Sequence, residues 1–343
     1  MRGQGAFRYL ASAMTGPYRN ESGADVNGWK ALRWGVERAI RRLPRPPAAP
    51  IVGIDPDLAF LRQNRDVPSF TWIGHATALV QVGGVNVLTD PVFSRVASPV
   101  AFAGPRRHQP PGIALPHLPR VDVVVLSHTH YDHLDLRSMR ALARQAGGPP
   151  LFLVPAGVER WFARNVPGVV THGAEARVLG VPWDGVVRDH PAAPGLEFHF
   201  LRVQHWTSRS PFRRNDTPWG SWAVLHPSWR FWFSGDLGYS RDPQRIGERL
   251  GGVDLAAIAI GAYEPRWMMR TQHVNPEEAV QVMLDVGARE AIGIHWGTFA
   301  LTDESLDQPP RDLAVAVQAR GLPAGRFGVL RHGETRRFAG RVP

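Results

Sequence analysis

The run Val123-Val124-Val125-Leu126-Ser127-His128-Thr129-His130-Tyr131-Asp132-His133-Leu134-Asp135 constrains this chain more than any other feature. An apolar strand ends there in three imidazoles and a carboxylate, and a helix start follows. Polar groups at a buried strand end need partners, because each unpaired one costs on the order of 1–3 kcal/mol. A metal ion supplies them. Strand alternation puts His128 and His130 on one side for a first ion, and the turn lets Asp132 and His133 swing toward a second.

Cysteine is absent, which excludes disulfides, thiolate nucleophiles and cysteine-ligated zinc together. Any metal must therefore rest on His and carboxylate ligands. At 343 residues the chain can bury a full core. Period-2 runs predict strands at Ser69 to Ile73, Ala78 to Val82, Val85 to Thr89, Val121 to Leu126, Leu151 to Val154, Leu196 to Val203, Ser221 to Leu225, Arg230 to Ser234, Asp254 to Ile260 and Ala291 to His295. Gly83-Gly84 signals a hairpin between the second and third. Helical periodicity covers Leu134 to Gln145, Gly157 to Arg164, Pro243 to Leu250 and Pro276 to Val286. Strand blocks with helices in both halves predict an α+β four-layer αββα sandwich, two sheets face to face with helices outside.

The amino-terminal part reads differently. Residues 1 to about 28 lack periodicity and read as a loosely ordered arm. From Trp29 to Leu43 a basic amphipathic helix is expected, with Trp29, Leu32, Val36, Ala39, Ile40 and Leu43 on its apolar face. It packs on the domain's own surface or lies on an anionic bilayer. Pro44 to Pro50 ends it as a stiff linker, so residues 1–50 form an N-terminal arm and 51–343 the main domain. Ala11-Ser12-Ala13 mimics a signal-peptidase site, but Arg8 interrupts the apolar run before it, and no run approaches the roughly 18–20 residues of a membrane span, so a cytoplasmic location is expected. The formal charge is +10, yet Lys30 is the only lysine and the arginines are scattered, which reads as compositional background rather than a nucleic-acid footprint.

The His motif resembles the metallo-β-lactamase superfamily, and within it N-acyl-phosphatidylethanolamine-hydrolysing phospholipase D and its bacterial relatives. The similar stretches are Thr71-Trp72-Ile73-Gly74-His75-Ala76-Thr77, Leu88 to Ser94, Gln204-His205-Trp206, Trp219 to Trp222, Ser234-Gly235-Asp236, Ile260 to Trp267, Gln272-His273-Val274, Ile294 to Phe299 and Leu330 to Glu334. The resemblance implies the metallo-β-lactamase fold, with His128, His130 and His205 holding one metal, Asp132, His133 and His295 the other, and Asp236 bridging them. Each later ligand also ends an apolar strand: His205 after Phe198 to Val203, Asp236 after Phe231 to Phe233, and His295 after Ala291 to Ile294. Five imidazoles and two carboxylates suit two divalent ions, Zn²⁺ best, with Fe or Mn compatible. Asp90 is expected to orient a ligand imidazole. Leu237 stands where relatives commonly carry Thr.

Two ions about 3.5–4 Å apart would bridge a hydroxide that attacks phosphorus in line. Asp132 and Asp236 are then the catalytic carboxylates, Asp132 orienting the water or accepting its proton. The resemblance puts Tyr263, Glu264, Arg266, Trp267, Gln272 and His273 near the substrate. It implies hydrolysis of N-acylated phosphatidylethanolamine to phosphatidate and N-acylethanolamine by a homodimer, peripheral on the inner face of the membrane, with no nucleic-acid partner. Metal ligands alone leave other readings open: a lactonase, a nucleic-acid phosphodiesterase, or a non-catalytic binding protein that kept the fold.

Overall fold

The structure is a computed structural model that describes residues 18–23, 28–41, 43–100, 102–210 and 213–340. The Arg8 and Ala11-Ser12-Ala13 signal lies outside the described residues. Strand β1 (Ser69–Gly74) pairs antiparallel with β2 (Thr77–Val82), which turns into β3 (Val85–Thr89). Gly83 and Gly84 make that turn at φ of 59° and 75°, a left-handed pair that glycine adopts without steric cost. Then β4 (Val123–Val125), β5 (Leu151–Pro155) and β6 (Val178–Val181) add in parallel.

The second sheet opens with β7 (Val186–Val187) and β8 (Glu197–Leu201), and β9 (Ser208–Ser210) and β10 (Arg213–Arg214) form a separate hairpin. Strands β11 (Ser221–His226) and β12 (Trp229–Phe233) continue that sheet antiparallel, and β13 (Val253–Ala259), β14 (Ala288–Ile294) and β15 (Phe327–Val329) join in parallel. Finally β16 (Thr335–Arg337) returns to the first sheet beside β1. The two seven-stranded orders are β16-β1-β2-β3-β4-β5-β6 and β15-β14-β13-β12-β11-β8-β7.

Strand alternation sorts the core into three slabs. Between the sheets lie Phe70, Trp72, Val123, Val125, Phe198, Phe200, Trp222, Phe231 and Phe233. The intervening side chains point outward, each to a helix layer. Of the helices α1 (Gly28–Arg41), α2 (Leu58–Gln63), α3 (Leu136–Leu142), α4 (Glu159–Asn165), α5 (Asp242–Leu250), α6 (Arg266–Met269), α7 (Pro276–Asp285) and α8 (Gln308–Ala319), the first sheet takes α2, α3 and α4. Val124, Leu88 and Phe152 there meet Leu61, Met139, Leu142 and Phe162. The second sheet takes α5, α7 and α8, with Trp232, Ala256 and Ile258 against Ile246, Val280, Met283 and Leu313. The four tryptophans Trp219, Trp222, Trp229 and Trp232 are all buried, two in each slab of the second sheet. The αββα sandwich expected from the strand and helix blocks is the observed architecture.

Boundaries moved where caps decided them. Helix α3 starts after Asp135, whose side chain accepts from Arg137 N, rather than at Leu134. Helix α7 carries a capping box between Asn275 and Glu278. Helix α8 was not among the expected helices; it opens on Gln308-Pro309-Pro310, and proline is well tolerated in a first turn.

The N-terminal segment corrects one expectation and refines another: α1 packs on the domain's own surface, one of the two placements expected. Residues 18–23 are pinned rather than loose: Asn20 bonds both backbone groups of His205, at 2.8 and 3.1 Å, and Ser22 donates to Gln204 Oε1 at 2.6 Å. Helix α1 docks through its polar side, with Trp34 Nε1 donating to Asp303 at 3.0 Å and Arg38 to the carbonyls of Leu301 and Ala300 at 2.7 and 3.2 Å. Val36 and Ile40, from the expected packing face, stay 53% and 76% exposed. Directional hydrogen bonds to fixed carbonyls set the orientation, which an apolar stripe alone does not specify.

Trp222 joins the two sheets at the strand that leads to the metal motif, because its Nε1 donates to Leu126 O at 2.8 Å across the core. Trp222→Phe keeps an aromatic side chain but removes the indole N–H and orphans that carbonyl, so urea denaturation should show a loss of at least about 1–3 kcal/mol.

Candidate metal centre

All the motif residues emerge at one edge of the sandwich. His75 follows β1, His128 follows β4, His205 follows β8, Asp236 follows β12 and His295 follows β14. In parallel strands these are carboxyl ends, where loops can turn side chains inward across the gap between sheets. Turning them costs backbone strain: His75, Asp90 and His295 take φ of 53°, 30° and 63°. Non-glycine residues pay on the order of 1–3 kcal/mol for such conformations, and they persist where surroundings over-determine them. Gly235, at φ 58°, leaves space that a Cβ would fill at 2.7 Å from Gly220 O and 2.8 Å from Ser127 Cβ, so Asp236 can be brought under the motif.

Among the described residues four overlapping groups of donor atoms result, each with all its members within 4.8 Å of one another, and two of them gather the expected ligands: His128, His130, His205 and Asp236, and then His75, Asp132, His133 and His295; the others are Asp90, His128 and His133, and Asp236, His273 and His295. In the first, His128 Nε2 lies 2.8 Å from His130 Nδ1, and His205 Nε2 lies 3.4 Å from the same atom. Asp236 Oδ2 stands 3.8 Å from His128 Nε2 and 3.7 Å from His205 Nε2. It also reaches the second group, with Oδ2 3.1 Å from His133 Nε2 and Oδ1 3.1 Å from His295 Nε2. Asp132 Oδ2 is 3.4 Å from His133 Nε2 and 3.5 Å from His295 Nε2. The seven ligands expected from the resemblance are therefore brought together, with Asp236 between the groups.

These residues fit a cation. His133 Nε2, His295 Nε2 and Asp236 Oδ1 are buried with no hydrogen-bond partner among the described residues, even where nitrogen and oxygen approach to 3.1 Å. Left unsatisfied, each such atom would cost about 1–3 kcal/mol, which coordination removes. Nitrogen and oxygen donors without thiolate match Zn²⁺, Fe or Mn.

Electrostatics divides the imidazoles. Burial, with crowding by the other imidazoles, depresses His130 to about 3 and pushes His128 well below its usual range. Burial likewise lowers His205 to about 4 and His75 to about 3. At His133 and His295 burial is outweighed by Asp236 and Asp132, which lift His133 well above the ordinary range and His295 to about 9. Burial works against both carboxylates, yet their imidazole neighbours, His133 above all, hold them well below the usual carboxylate range. The centre is thus built to hold positive charge beside two carboxylates.

The outward nitrogens of His128, His133 and His205 are also engaged, whereas His295 Nδ1 has no partner among the described residues. Asp90, fully buried, contacts His133 Nδ1 at 2.6 Å, and accepts from Ser127 N at 2.7 Å and Ser127 Oγ at 2.5 Å. Ser127 Oγ lies 2.9 Å from His128 Nδ1, and His205 Nδ1 donates to Gln272 O at 2.9 Å. Each contact turns a ring so that its other nitrogen faces the centre. Arg209 braces the motif loop from the β9–β10 hairpin: its Nη1 donates to Thr129 O and Leu134 O, both at 2.9 Å, and its guanidinium lies 4.1 Å over the Tyr131 ring.

The six residues expected near substrate part company. His273 reaches the centre, its ring 5.3 Å from His205 and 5.5 Å from His295. Gln272 contributes its carbonyl to His205, while its side chain donates to Met268 O. Tyr263 donates to Asp312 on α8 at 2.5 Å, Glu264 accepts from Arg266 N, and Arg266 bonds Glu278 at 2.6 Å and His273 O at 2.8 Å. Trp267 is 38% exposed and stacks under Arg33 of α1, not under Arg266. Leu237 packs in the outer slab with Trp219 and Val274, so its side chain belongs to the core. His75, Asn20 and Arg209 were missed. His75 was legible as a histidine ending a strand, whereas Asn20 and Arg209 are far from the motif in sequence.

A two-sheet sandwich with His and Asp donors at one edge defines a metal-dependent hydrolase of the metallo-β-lactamase fold. The family described as beta-lactamase superfamily domain matches residues 85–296, and the chain belongs to it. It is 41% identical over 244 residues to N-acyl-phosphatidylethanolamine-hydrolyzing phospholipase D 1 of Caenorhabditis elegans, covering 71% of this chain and 67% of that one. The mitochondrial N-acyl-phosphatidylethanolamine-hydrolyzing phospholipase D of Saccharomyces cerevisiae is 32% identical over 255 residues, covering 74% of this chain and 52% of its own. Among solved structures, an isothiocyanate hydrolase from Delia radicum gut bacteria superposes with a TM-score of 0.58 at 18% identity, over 79% of this chain and 99% of its own, and shares the fold.

Replacing Asp90 by Asn removes the charge on His133 Nδ1. Chelator competition should then show metal affinity reduced roughly ten- to hundredfold; undiminished affinity would mean that Asp90 merely fills the turn before Pro91.

Proposed function

We propose that this protein is a binuclear-metal phosphodiesterase, loaded with Zn²⁺, that cleaves N-acyl-phosphatidylethanolamine-type phospholipids to phosphatidate and N-acylethanolamine. The observation that carries the reading is Asp236 standing between two donor groups, in a chain 41% identical to a relative named for that hydrolysis. Bound divalent ions would acidify a water and neutralise charge on a phosphoryl oxygen. The chain's own residues do the rest. Asp132, whose side chain keeps 14% of its surface exposed, faces the solvent side and orients the attacking water by accepting its hydrogen bond. Asp236 keeps the donor groups in register. His273 meets the substrate, and the P–O bond on the head-group side breaks as the leaving oxygen takes up the proton that the attacking water gives up.

The same reading makes the protein cytoplasmic, peripheral to the membrane and dimeric. For the membrane its support is α1, which leaves Val36 and Ile40 exposed along with Arg33, Arg41 and, in the linker that follows, Arg45. Apolar side chains would enter the headgroup region while each nearby arginine contributes on the order of 1 kcal/mol toward anionic lipid.

Metal-loaded protein incubated with N-acyl-phosphatidylethanolamine vesicles should release N-acylethanolamine and phosphatidate, identified by mass spectrometry. Asp132→Asn should lower kcat/KM by at least about 10²-fold. Intact lipid would send the substrate search to lactones and nucleic acids. A separate flotation assay addresses the membrane: the double change Val36→Glu and Ile40→Glu should weaken retention on vesicles containing phosphatidylserine, and equal retention would remove α1 from the binding surface.

A further inference from the structure

The second donor group contains a histidine to which the ligand assignment gives no part. His75 ends β1 and is held from every side. Its carbonyl accepts from Trp72 Nε1 and from His295 N, both at 2.9 Å, and its N–H donates to Thr298 Oγ1 at 2.8 Å. Thr298 Oγ1 is in turn 3.0 Å from His332 Nε2, whose ring packs on Trp72 with centroids 4.2 Å apart. The His75 ring lies 3.9 Å from the ring of His295 and meets the edge of Phe299 at 5.2 Å. Backbone, stacking and burial leave that ring a single orientation, and in it Nε2 sits 3.0 Å from Asp132 Oδ2.

A carboxylate only accepts, so Nε2 carries the proton. Nδ1, buried with no hydrogen-bond partner among the described residues, is no competing donor site. His128, His133 and His205 are each turned by a contact on the ring nitrogen facing away from the centre, but Asp132 is on the solvent side of the group and has no ring to stack. A carboxylate there needs a fixed donor if its oxygens are to stay 3.4 and 3.5 Å from His133 and His295.

We propose that His75 is a positioning residue: its Nε2–H holds the Asp132 carboxylate in place, and the group of Asp132, His133 and His295 takes up a divalent cation tightly only with that hydrogen bond made. The proposal rests on the metal-dependent reading of the site and is independent of the substrate. It separates His75 from a direct ligand, because an Nε2 that donates to Asp132 has no lone pair left for a cation.

The test is Co²⁺ uptake by the chelator-stripped full chain, followed by visible absorption and by dialysis with metal analysis. It compares wild type with His75→Leu, His75→Gln, His75→Asn and Asp132→Asn, and thermal melting of each metal-free form checks folding. His75→Leu should weaken one of two uptake steps roughly ten- to hundredfold, the step that Asp132→Asn also weakens, and leave the other unchanged. His75→Gln, which keeps an N–H donor, should recover most of the loss, and His75→Asn, which is too short, should not. Wild-type uptake by His75→Leu overturns the proposal, as does a loss in His75→Gln equal to that in His75→Leu, which would make His75 a ligand. If His75→Leu does not fold, the contrast between Gln and Asn decides by the same criterion. Uptake of a single equivalent by wild type would sink the two-ion reading; if that ion is also indifferent to Asp132→Asn, the role of His75 falls with it.

Discussion

Five imidazoles and two carboxylates forced together at one buried sheet edge are the constraint to which the rest of this structure answers. Such a cluster is unstable on its own terms. Burial favours neutral rings, and His130 and His205 follow it, while Asp236 and Asp132 drag His133 and His295 the other way. The Nε2 atoms of His133 and His295, buried without a hydrogen-bond partner although Asp236 oxygens lie 3.1 Å away, are left unsatisfied by the protein itself. A cation satisfies the lone pairs and the two negative charges at once. The family's metal dependence is in this sense a consequence of how the polar groups are buried.

Holding such a cluster requires rigidity supplied from several parts of the chain. Strands end at the site, so the Cα positions are set by two seven-stranded sheets. Three residues at those ends accept left-handed backbone conformations, strain that the sandwich core outweighs. A ring of further contacts then aims the side chains: Asp90 and Ser127 from the first sheet's loops, Gln272 from the stretch after α6, Arg209 from the small hairpin, and Asn20 from the segment ahead of α1. Losing any of these would leave the ligands present but less well placed, which is why the supporting residues matter to chemistry they never touch.

Much of the site was legible because its signals are local. The His-x-His-x-Asp-His run declares itself, and His205, Asp236 and His295 each end an apolar strand, a pattern that one sheet edge requires. Most strands were equally readable, whereas the division of the tryptophans between opposite slabs of the core came with the sheets. The segment from Ile260 to Val274 was read less well. Tyr263 and Arg266 stand in a motif-like stretch but spend their polar groups on Asp312 and Glu278, and Trp267 stacks with α1. Sequence proximity to a site says little about which way a loop side chain turns.

From the sequence alone come the kind of ligands, the absence of thiolate, the two-sheet sandwich and the strand ends that carry the donors, because each follows from residue chemistry or from a period of two or 3.6 along the chain. The tertiary structure decided what depends on distant segments meeting. It seated Asp236 between two donor groups, put His75 on Asp132, pinned Asn20 to His205, and turned α1 so that Arg38 faces the loop at Leu301 while Ile40 faces out. Hydrogen bonds and ring contacts of this kind act over a few ångströms in space, and no periodicity along the chain encodes which residues will come that close.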